Sequence, residues 1–130
     1  MSNEKKRSRL LVIDDDSKIR AMLETALGTQ YDVLSLPNGD EVIKTIESYS
    51  PNLLLLDINI PGSDGFEICE RVRAQAKLKK FPVLFMTIRK DDKAFLKSLE
   101  SGGDAQIHKP FEIPALRERI ELLLKNYRVS

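Results

Sequence analysis

The sequence predicts an α/β domain in which a doubly wound, five-stranded parallel sheet is covered by helices on both faces. Three observations carry that prediction. Five short apolar runs are spaced along the chain, and a stretch with helical periodicity follows each of them. The strongest run, Leu53-Leu54-Leu55-Leu56, is apolar at every position, the pattern of a central strand buried on both faces. The first and third runs both end in carboxylates. An acid at the end of a buried strand is costly unless that end opens into a polar crevice. In open α/β sheets, ligands bind at such carboxyl ends.

Composition sets the bounds. A chain of 130 residues suits one compact domain that needs no disulfide or metal to hold it. The net charge of +1 gives no global field favouring nucleic acid or anionic membrane. Lys5, Lys6, Arg7 and Arg9 read as a solvated tail rather than a phosphate-binding arm. The one cysteine, Cys69, excludes an internal disulfide and suits a reducing compartment; it reads as a core side chain. No run approaches membrane-spanning length and no signal peptide opens the chain, so a cytoplasmic location is expected.

In chain order, Leu10-Leu11-Val12-Ile13 is the first strand and stops at Asp14-Asp15-Asp16. Ile19, Met22, Leu23, Ala26 and Leu27 recur at helical spacing, with Asp16 or Ser17 as cap and Gly28 as stop. Tyr31 to Leu36 is a second, more exposed strand. Pro37-Asn38-Gly39 turns the chain, and Asp40 leads a helix with Val42, Ile43 and Ile46 inward. Ser50-Pro51-Asn52 breaks the chain before the leucine strand. That strand ends at Asp57, and the turn through Pro61-Gly62-Ser63-Asp64-Gly65 follows. The third helix carries Phe66, Ile68, Cys69, Val72 and Ala76, with Lys77 to Lys80 as its basic end. Pro82 introduces the strand Val83-Leu84-Phe85-Met86, which finishes at Thr87. Asp91 or Asp92 starts a helix through Ala94, Phe95, Leu96 and Leu99, stopped by Gly102-Gly103. Ala105 to His108 is the fifth strand, finishing at Lys109-Pro110. Pro114 suits the first turn of a last helix bearing Leu116, Ile120, Leu123 and Leu124.

The flavodoxin-like order 2-1-3-4-5 suits such a chain and makes strands 1 and 3 neighbours at the switch point. Asp14, Asp15 and Asp57 then meet in one crevice, with Thr87 and Lys109 beside them. Three carboxylates in a small cleft repel one another unless protonated or bound to a cation. Oxygen-only ligands favour a hard ion such as Mg2+, which leaves open positions for phosphate oxygens. Lys109 adds a point charge, and Thr87 a hydroxyl donor. A nucleophilic Asp57 with these neighbours describes phosphoryl transfer onto a carboxylate.

The segments Val12-Ile13-Asp14-Asp15-Asp16, Leu55 to Gly65, Met86-Thr87 and Lys109-Pro110-Phe111 together resemble the receiver domain of two-component response regulators. The resemblance spans residues 9–127, leaving 1–8 as a flexible tail and 128–130 as the C-terminal end. It implies that Asp57 is the phosphoacceptor. It implies Mg2+ held by Asp15, Asp57 and the backbone carbonyl of Asn59, with Asp14 holding a metal-bound water. Thr87 would bind the phosphoryl group and Lys109 would pair with it, the Lys109-Pro110 bond being usually cis in the family. The implied donor is a phosphohistidine on a sensor histidine kinase or phosphotransfer protein, or a small phosphodonor. Self-phosphorylation and self-dephosphorylation are the implied activities, and binding is the output. The face around strand 5 and its flanking helices is the family's usual partner surface, and a phosphorylation-dependent homodimer is compatible with it.

Two positions depart from the family pattern. Gln106 stands where a Tyr or Phe commonly rotates as a switch, so activation is expected not to use an aromatic rotation. Ile88 follows Thr87 where a small residue is usual, and is expected to narrow access to Asp57 and slow phosphorylation, hydrolysis or both.

Read singly, the same residues are plainer. Asp14 to Asp16 make a turn and helix cap, Thr87 is structural, Lys109 is a surface lysine, and Asn59, Asp64 and Gly65 are turn chemistry. His108 is a strand residue facing away from Lys109. Their convergence favours the site. Two competing functions are a haloacid-dehalogenase-type phosphohydrolase and a receiver-like module that binds partners without phosphorylation. Asp14-Asp15-Asp16 mimics the Asp-x-Asp opening of the former, but Lys18 replaces its usual Thr or Val and the chain is short for its core and cap. Members of the latter usually lose an acidic or Lys position, and none is lost here. No DNA-binding or effector domain fits within the chain, so neither nucleic acid nor membrane contact is expected of it. It is expected to be a stand-alone receiver or the amino-terminal piece of a longer regulator, with an unspecified downstream effector.

Overall fold

The computed structural model describes residues 7–60, 62, 64–75, 77–78, 80–88 and 92–129, with the side chains of 92, 128 and 129 excepted. The expectations placed on Lys5, Lys6, Pro61, Ser63, Ala76, Lys79 and Asp91 lie outside these residues. The element order is β1 (Arg9–Ile13), α1 (Ser17–Leu27), β2 (Asp32–Leu36), α2 (Val42–Tyr49) and β3 (Leu53–Asp57). It continues with α3 (Gly65–Arg73), β4 (Val83–Thr87), α4 (Asp92–Glu100), β5 (Ala105–His108) and α5 (Ile113–Val129). The strands form one parallel sheet in the order β2-β1-β3-β4-β5, the doubly wound arrangement expected from the sequence. Among the described residues, no helix is long and apolar enough to cross a membrane.

Strand alternation divides the interior into two cores. Leu11, Ile13, Leu54, Leu56, Val83 and Phe85 face α2 and α3, meeting Val42, Ile46, Phe66, Ile68, Cys69 and Val72. Leu10, Val12, Leu53, Leu55, Leu84, Met86 and Ile107 face α1 and α5, meeting Leu23, Leu27, Leu116, Ile120 and Leu124. All four leucines of β3 are fully buried, each contributing roughly 2 kcal/mol of transfer free energy. That burial fixes β3, and with it the position of Asp57. In register, Ile13 of β1 lies opposite Leu56, so the ends of β1 and β3 come out side by side.

Several local readings need correction. Arg7 and Arg9 are not a solvated tail. Arg7 donates to the carbonyls of Gly28 and Tyr31, while Arg9 opens β1 and its Nε donates to the carbonyls of Tyr49 (3.0 Å) and Ser50 (2.8 Å). The second helix begins at Val42 rather than Asp40, whose N–H is taken by the Asn38 side chain at 2.9 Å in an Asx turn. Tyr31 precedes β2 rather than belonging to it, its hydroxyl meeting Glu121 of α5. Ser50 closes α2 in the left-handed region at φ 52°.

The third helix stops at Arg73, so Lys77 and Lys80 lie beyond it rather than forming its basic end. Arg73 is pulled into a junction that local sequence does not encode. It donates to the carbonyls of Gly102 (3.0 Å) and Phe81 (2.7 Å) and to Asp104 Oδ2 (2.8 Å). Asp104 in turn accepts from the Val83 N–H at 2.8 Å and from the Tyr127 hydroxyl at 2.7 Å. Ends of α3, β4, α4, β5 and α5 are thereby tied at the amino end of the sheet.

The fourth helix turns its small side chains inward. Ala94, Ser98 and the following Ser101 are buried, whereas Phe95, Leu96 and Leu99 are 53%, 57% and 52% exposed. Where the chain leaves α4 it passes close to β4: a Cβ at Gly103 would lie 2.2 Å from the Phe85 ring and 3.0 Å from the Ser98 carbonyl, so that position takes only glycine.

Candidate functional site

Asp14 leaves the end of β1 fully buried, its N–H bonded to the Leu36 carbonyl of β2 at 3.1 Å. Its Oδ1 accepts from the Asp16 N–H at 2.9 Å, and Asp16 caps α1 through the Lys18 N–H at 2.9 Å. Asp15, between them, is exposed. Asp57 ends β3 at 4% exposure, its Oδ1 accepting from the Asn59 N–H at 3.2 Å. The β3–α3 loop presses on this position. A Cβ at Gly65 would sit 2.5 Å from the Asp57 carbonyl, and the Gly65 N–H bonds the Ile58 carbonyl at 2.9 Å, so only glycine fits. The Asp64 side chain then caps α3 through the Glu67 N–H at 2.9 Å.

Lys109 leaves the end of β5 through a cis Lys109-Pro110 bond, its N–H bonded to the Thr87 carbonyl at 2.8 Å. Its ammonium reaches Asp14 Oδ2 at 2.8 Å and Asp57 Oδ2 at 3.5 Å. Thr87 ends β4 fully buried, opposite His108, and Ile88 beyond it is 66% exposed. Gln106 lies one same-face step down β5 from His108. Its side-chain carbonyl oxygen is buried and has no hydrogen-bond partner among the described residues.

The structure therefore brings Asp14, Asp15, Asp57 and Lys109 into one cluster, with Asn59 hydrogen-bonded to it through its N–H and Thr87 at the adjoining strand end. His108 and Cys69 stand outside it. His108 is exposed, and Cys69 is buried in the core, where burial pushes its thiol up. Sequence reasoning missed Arg20, which donates to the Asp14 carbonyl at 2.7 Å. Its place one turn into α1 carries no signal distinguishing it from a surface arginine. Two clefts of about 470 Å³ lie elsewhere, one at the amino ends of β3 and β4 beside Asn52 and Phe81, the other beside Tyr31 and Asp32. Neither holds a comparable cluster, so the carboxylates rather than the larger hollows mark the chemistry.

Burial is the main influence on Asp57 and, with the Asp14 charge, outweighs Lys109 and the Asn59 hydrogen bond to hold its carboxyl above the ordinary value. Burial works to lower Lys109, but the hydrogen bond to Asp14 and the charges of Asp57 and Asp14 prevail and hold the ammonium above its usual range. One carboxylate oxygen from each of Asp14, Asp15 and Asp57 lies within 4.8 Å of the others. Three carboxyl groups share one ammonium, and every candidate ligand atom is a hard oxygen. That set suits a divalent cation of the Mg2+ class.

Residues 10–121 match the model of the response regulator receiver domain family. The transcriptional regulatory protein AfsQ1 of Streptomyces coelicolor is 38% identical over 117 residues, which cover 89% of this chain and 51% of that protein. The alkaline phosphatase synthesis transcriptional regulatory protein PhoP of Bacillus subtilis is 31% identical over 123 residues, covering 94% of this chain and 50% of that protein. The chain thus spans about half the length of these relatives. Among solved structures, a putative response regulator from Chloroflexus aurantiacus aligns with a TM-score of 0.84 at 34% identity, covering 93% of this chain and 99% of that one. The BeF3-activated N-terminal receiver domain of RstA from Klebsiella pneumoniae aligns with a TM-score of 0.82 at 30% identity, covering 90% and 98% of the two chains.

Proposed function

This chain belongs to the response regulator receiver domain family, and from that premise we propose that it is a phosphorylation switch whose acceptor is Asp57. The observation that carries the reading is the Lys109 ammonium set between Asp14 and Asp57, with Asp15 completing the carboxylate cluster. An Asp57 oxygen attacks phosphorus as the bond to the donor's imidazole nitrogen breaks, giving an aspartyl phosphate and a histidine that takes up a proton. Lys109 moves from pairing with Asp57 to pairing with a phosphoryl oxygen, and the Thr87 hydroxyl donates to another. Asp15, Asp57 and the Asn59 carbonyl would hold Mg2+, with Asp14 supporting it. When bound, the ion neutralises charge on the transferring group.

Response regulators take phosphoryl groups from histidine kinases and act on downstream effectors. Here the donor is read as a sensor histidine kinase or a phosphotransfer protein meeting this chain in the cytoplasm. The exposed Phe95, Leu96 and Leu99 of α4, beside β5, are the surface we assign to a downstream partner or to a second phosphorylated copy. The phosphohydrolase reading is not favoured, since the receiver family match extends over residues 10–121. The phosphorylation-independent reading is not favoured either, since every acidic and lysine position of the site is retained.

The test is Mg2+-dependent binding of beryllofluoride, a phosphoryl mimic, followed by calorimetry or fluorescence. Binding by the wild type and loss of binding in Asp57→Asn are expected. Equal binding by both would remove Asp57 as the acceptor.

A further inference from the structure

Asp15 is the exposed member of the carboxylate cluster, so packing does little to aim its side chain. Its backbone is held instead, from both sides. On the preceding side, the Asp14 carbonyl accepts from the Arg20 guanidinium at 2.7 Å. On the following side, the Asp16 N–H donates to Asp14 Oδ1 at 2.9 Å. A peptide unit is planar, so a bond to its oxygen or its N–H holds the whole plate. Asp15 therefore joins two held plates, which leaves chiefly its side-chain torsions free.

The start of α1 places Arg20 for this. Its own N–H bonds the Asp16 carbonyl at 3.0 Å, and Asp16 caps the helix through the Lys18 N–H at 2.9 Å. The half-buried side chain then turns back to the end of β1. Such a bond is charge-assisted, and stronger than a neutral hydrogen bond to the same carbonyl. With it, Asp14 has a partner at each hydrogen-bonding atom. Its N–H meets the Leu36 carbonyl, its carbonyl meets Arg20, and its carboxylate oxygens meet the Asp16 N–H and Lys109. By charge alone, a cation beside an acidic cluster would repel Mg2+. A grip on the backbone that aims a ligand acts in the opposite direction, so the sign of the effect on metal affinity separates the two.

We propose that Arg20 is a positioning residue for the metal site: by holding the Asp14–Asp15 peptide, it aims the Asp15 carboxylate at the ion. The inference rests on the reading of Asp15 as a ligand of Mg2+. Without the grip, Asp15 has to be ordered at the moment the ion binds, and that cost appears as lost affinity. Outer partners that orient a metal ligand typically account for about tenfold or more in affinity.

The experiment titrates the whole chain with Mg2+ alone in a calorimeter, beside melting curves recorded without metal. Arg20→Met, which removes both charge and donor, is expected to weaken Mg2+ binding about tenfold. Arg20→Gln, uncharged and too short to reach the Asp14 carbonyl, is expected to do the same and takes the place of Arg20→Met if that variant does not fold. Arg20→Lys keeps a charged donor of similar reach and is expected to bind within about threefold of wild type. In an Asp15→Ala background, Arg20→Met is expected to have no further effect, because the side chain it aims is gone. A lower melting temperature with unchanged Mg2+ affinity in Arg20→Met would reduce Arg20 to a stabiliser of the start of α1 and overturn the proposal. Tighter Mg2+ binding would make it a repelling charge and overturn the proposal as well. A further loss in the Asp15→Ala background would overturn the route through Asp15. Failure of the wild type to bind Mg2+ at all would instead strike the metal reading, and the positioning with it.

Discussion

The Lys109 ammonium donates to Asp14 at 2.8 Å and stands off from Asp57 at 3.5 Å. The fully buried carboxylate thus takes the close contact, and the carboxylate read as reactive keeps the looser one. An acceptor locked in a tight ion pair would have to break that pair before attacking. Here Asp14 anchors the lysine, and Asp57 needs only a short displacement of its partner.

The electrostatics of Asp57 set the first prediction. Its carboxyl is held above the ordinary range, chiefly by burial. A raised folded-state value means that the fold binds this proton more tightly than the unfolded chain does. Ionisation then costs stability: nothing below the unfolded value, an increasing amount up to the folded value, and the full amount above it. Asp57→Asn without metal should therefore melt roughly 2–5 °C higher than wild type at neutral pH. The gain should disappear below about pH 4. Melting curves across pH check this, and a lower melting temperature for Asp57→Asn at neutral pH would contradict it.

Asp15 is exposed and leaves the fold little to lose. Asp15→Ala should change stability by less than about 0.5 kcal/mol. Mg2+ affinity should fall by about tenfold or more, because a hard cation loses a charged oxygen ligand. Calorimetric titration with Mg2+ measures it, and an unaltered affinity would take Asp15 out of the metal set.

Ile88 projects into solvent beside Thr87 at 66% exposure. An exposed branched side chain next to Thr87 would act on the approach of a donor or of water. Ile88→Ala should accelerate labelling by acetyl phosphate, decay of the label, or both, by about threefold. Time courses of both reactions test this, and identical rates would end the steric account.

Ser50 occupies the left-handed region at φ 52°, a conformation that a Cβ disfavours. Ser50→Gly relieves that strain but frees the unfolded chain, so the net gain should be about 0.5 kcal/mol. Denaturant unfolding measures it, and Ser50→Ala should gain nothing.

Much of this was legible in one dimension because short-range signals and topology agree. The leucine run announces β3, Pro82 announces β4, and carboxylates at two strand ends become neighbours once the strand order is set. What stayed hidden depends on contacts between distant residues. Nothing near Arg73 says that the helix will end there, with its side chain reaching Gly102, Phe81 and Asp104, so the helix reads too long. The apolar residues Phe95, Leu96 and Leu99 mark α4 in the sequence, but nothing in their spacing says that they stay exposed while Ala94 and Ser98 go in. That Lys109 lies nearer Asp14 than Asp57 is a matter of a fraction of an ångström, beyond the reach of spacing.

The Arg73–Asp104–Tyr127 junction makes the domain mechanically asymmetric. The base of α4 is bolted to four other elements at the end of the sheet remote from the carboxylates. A disturbance that begins at the strand tips would meet in α4 a helix held at its far end, as a lever is held at its fulcrum. Amide exchange should register the difference, with Ser101 to Gly103 protected longer than Lys93 to Phe95.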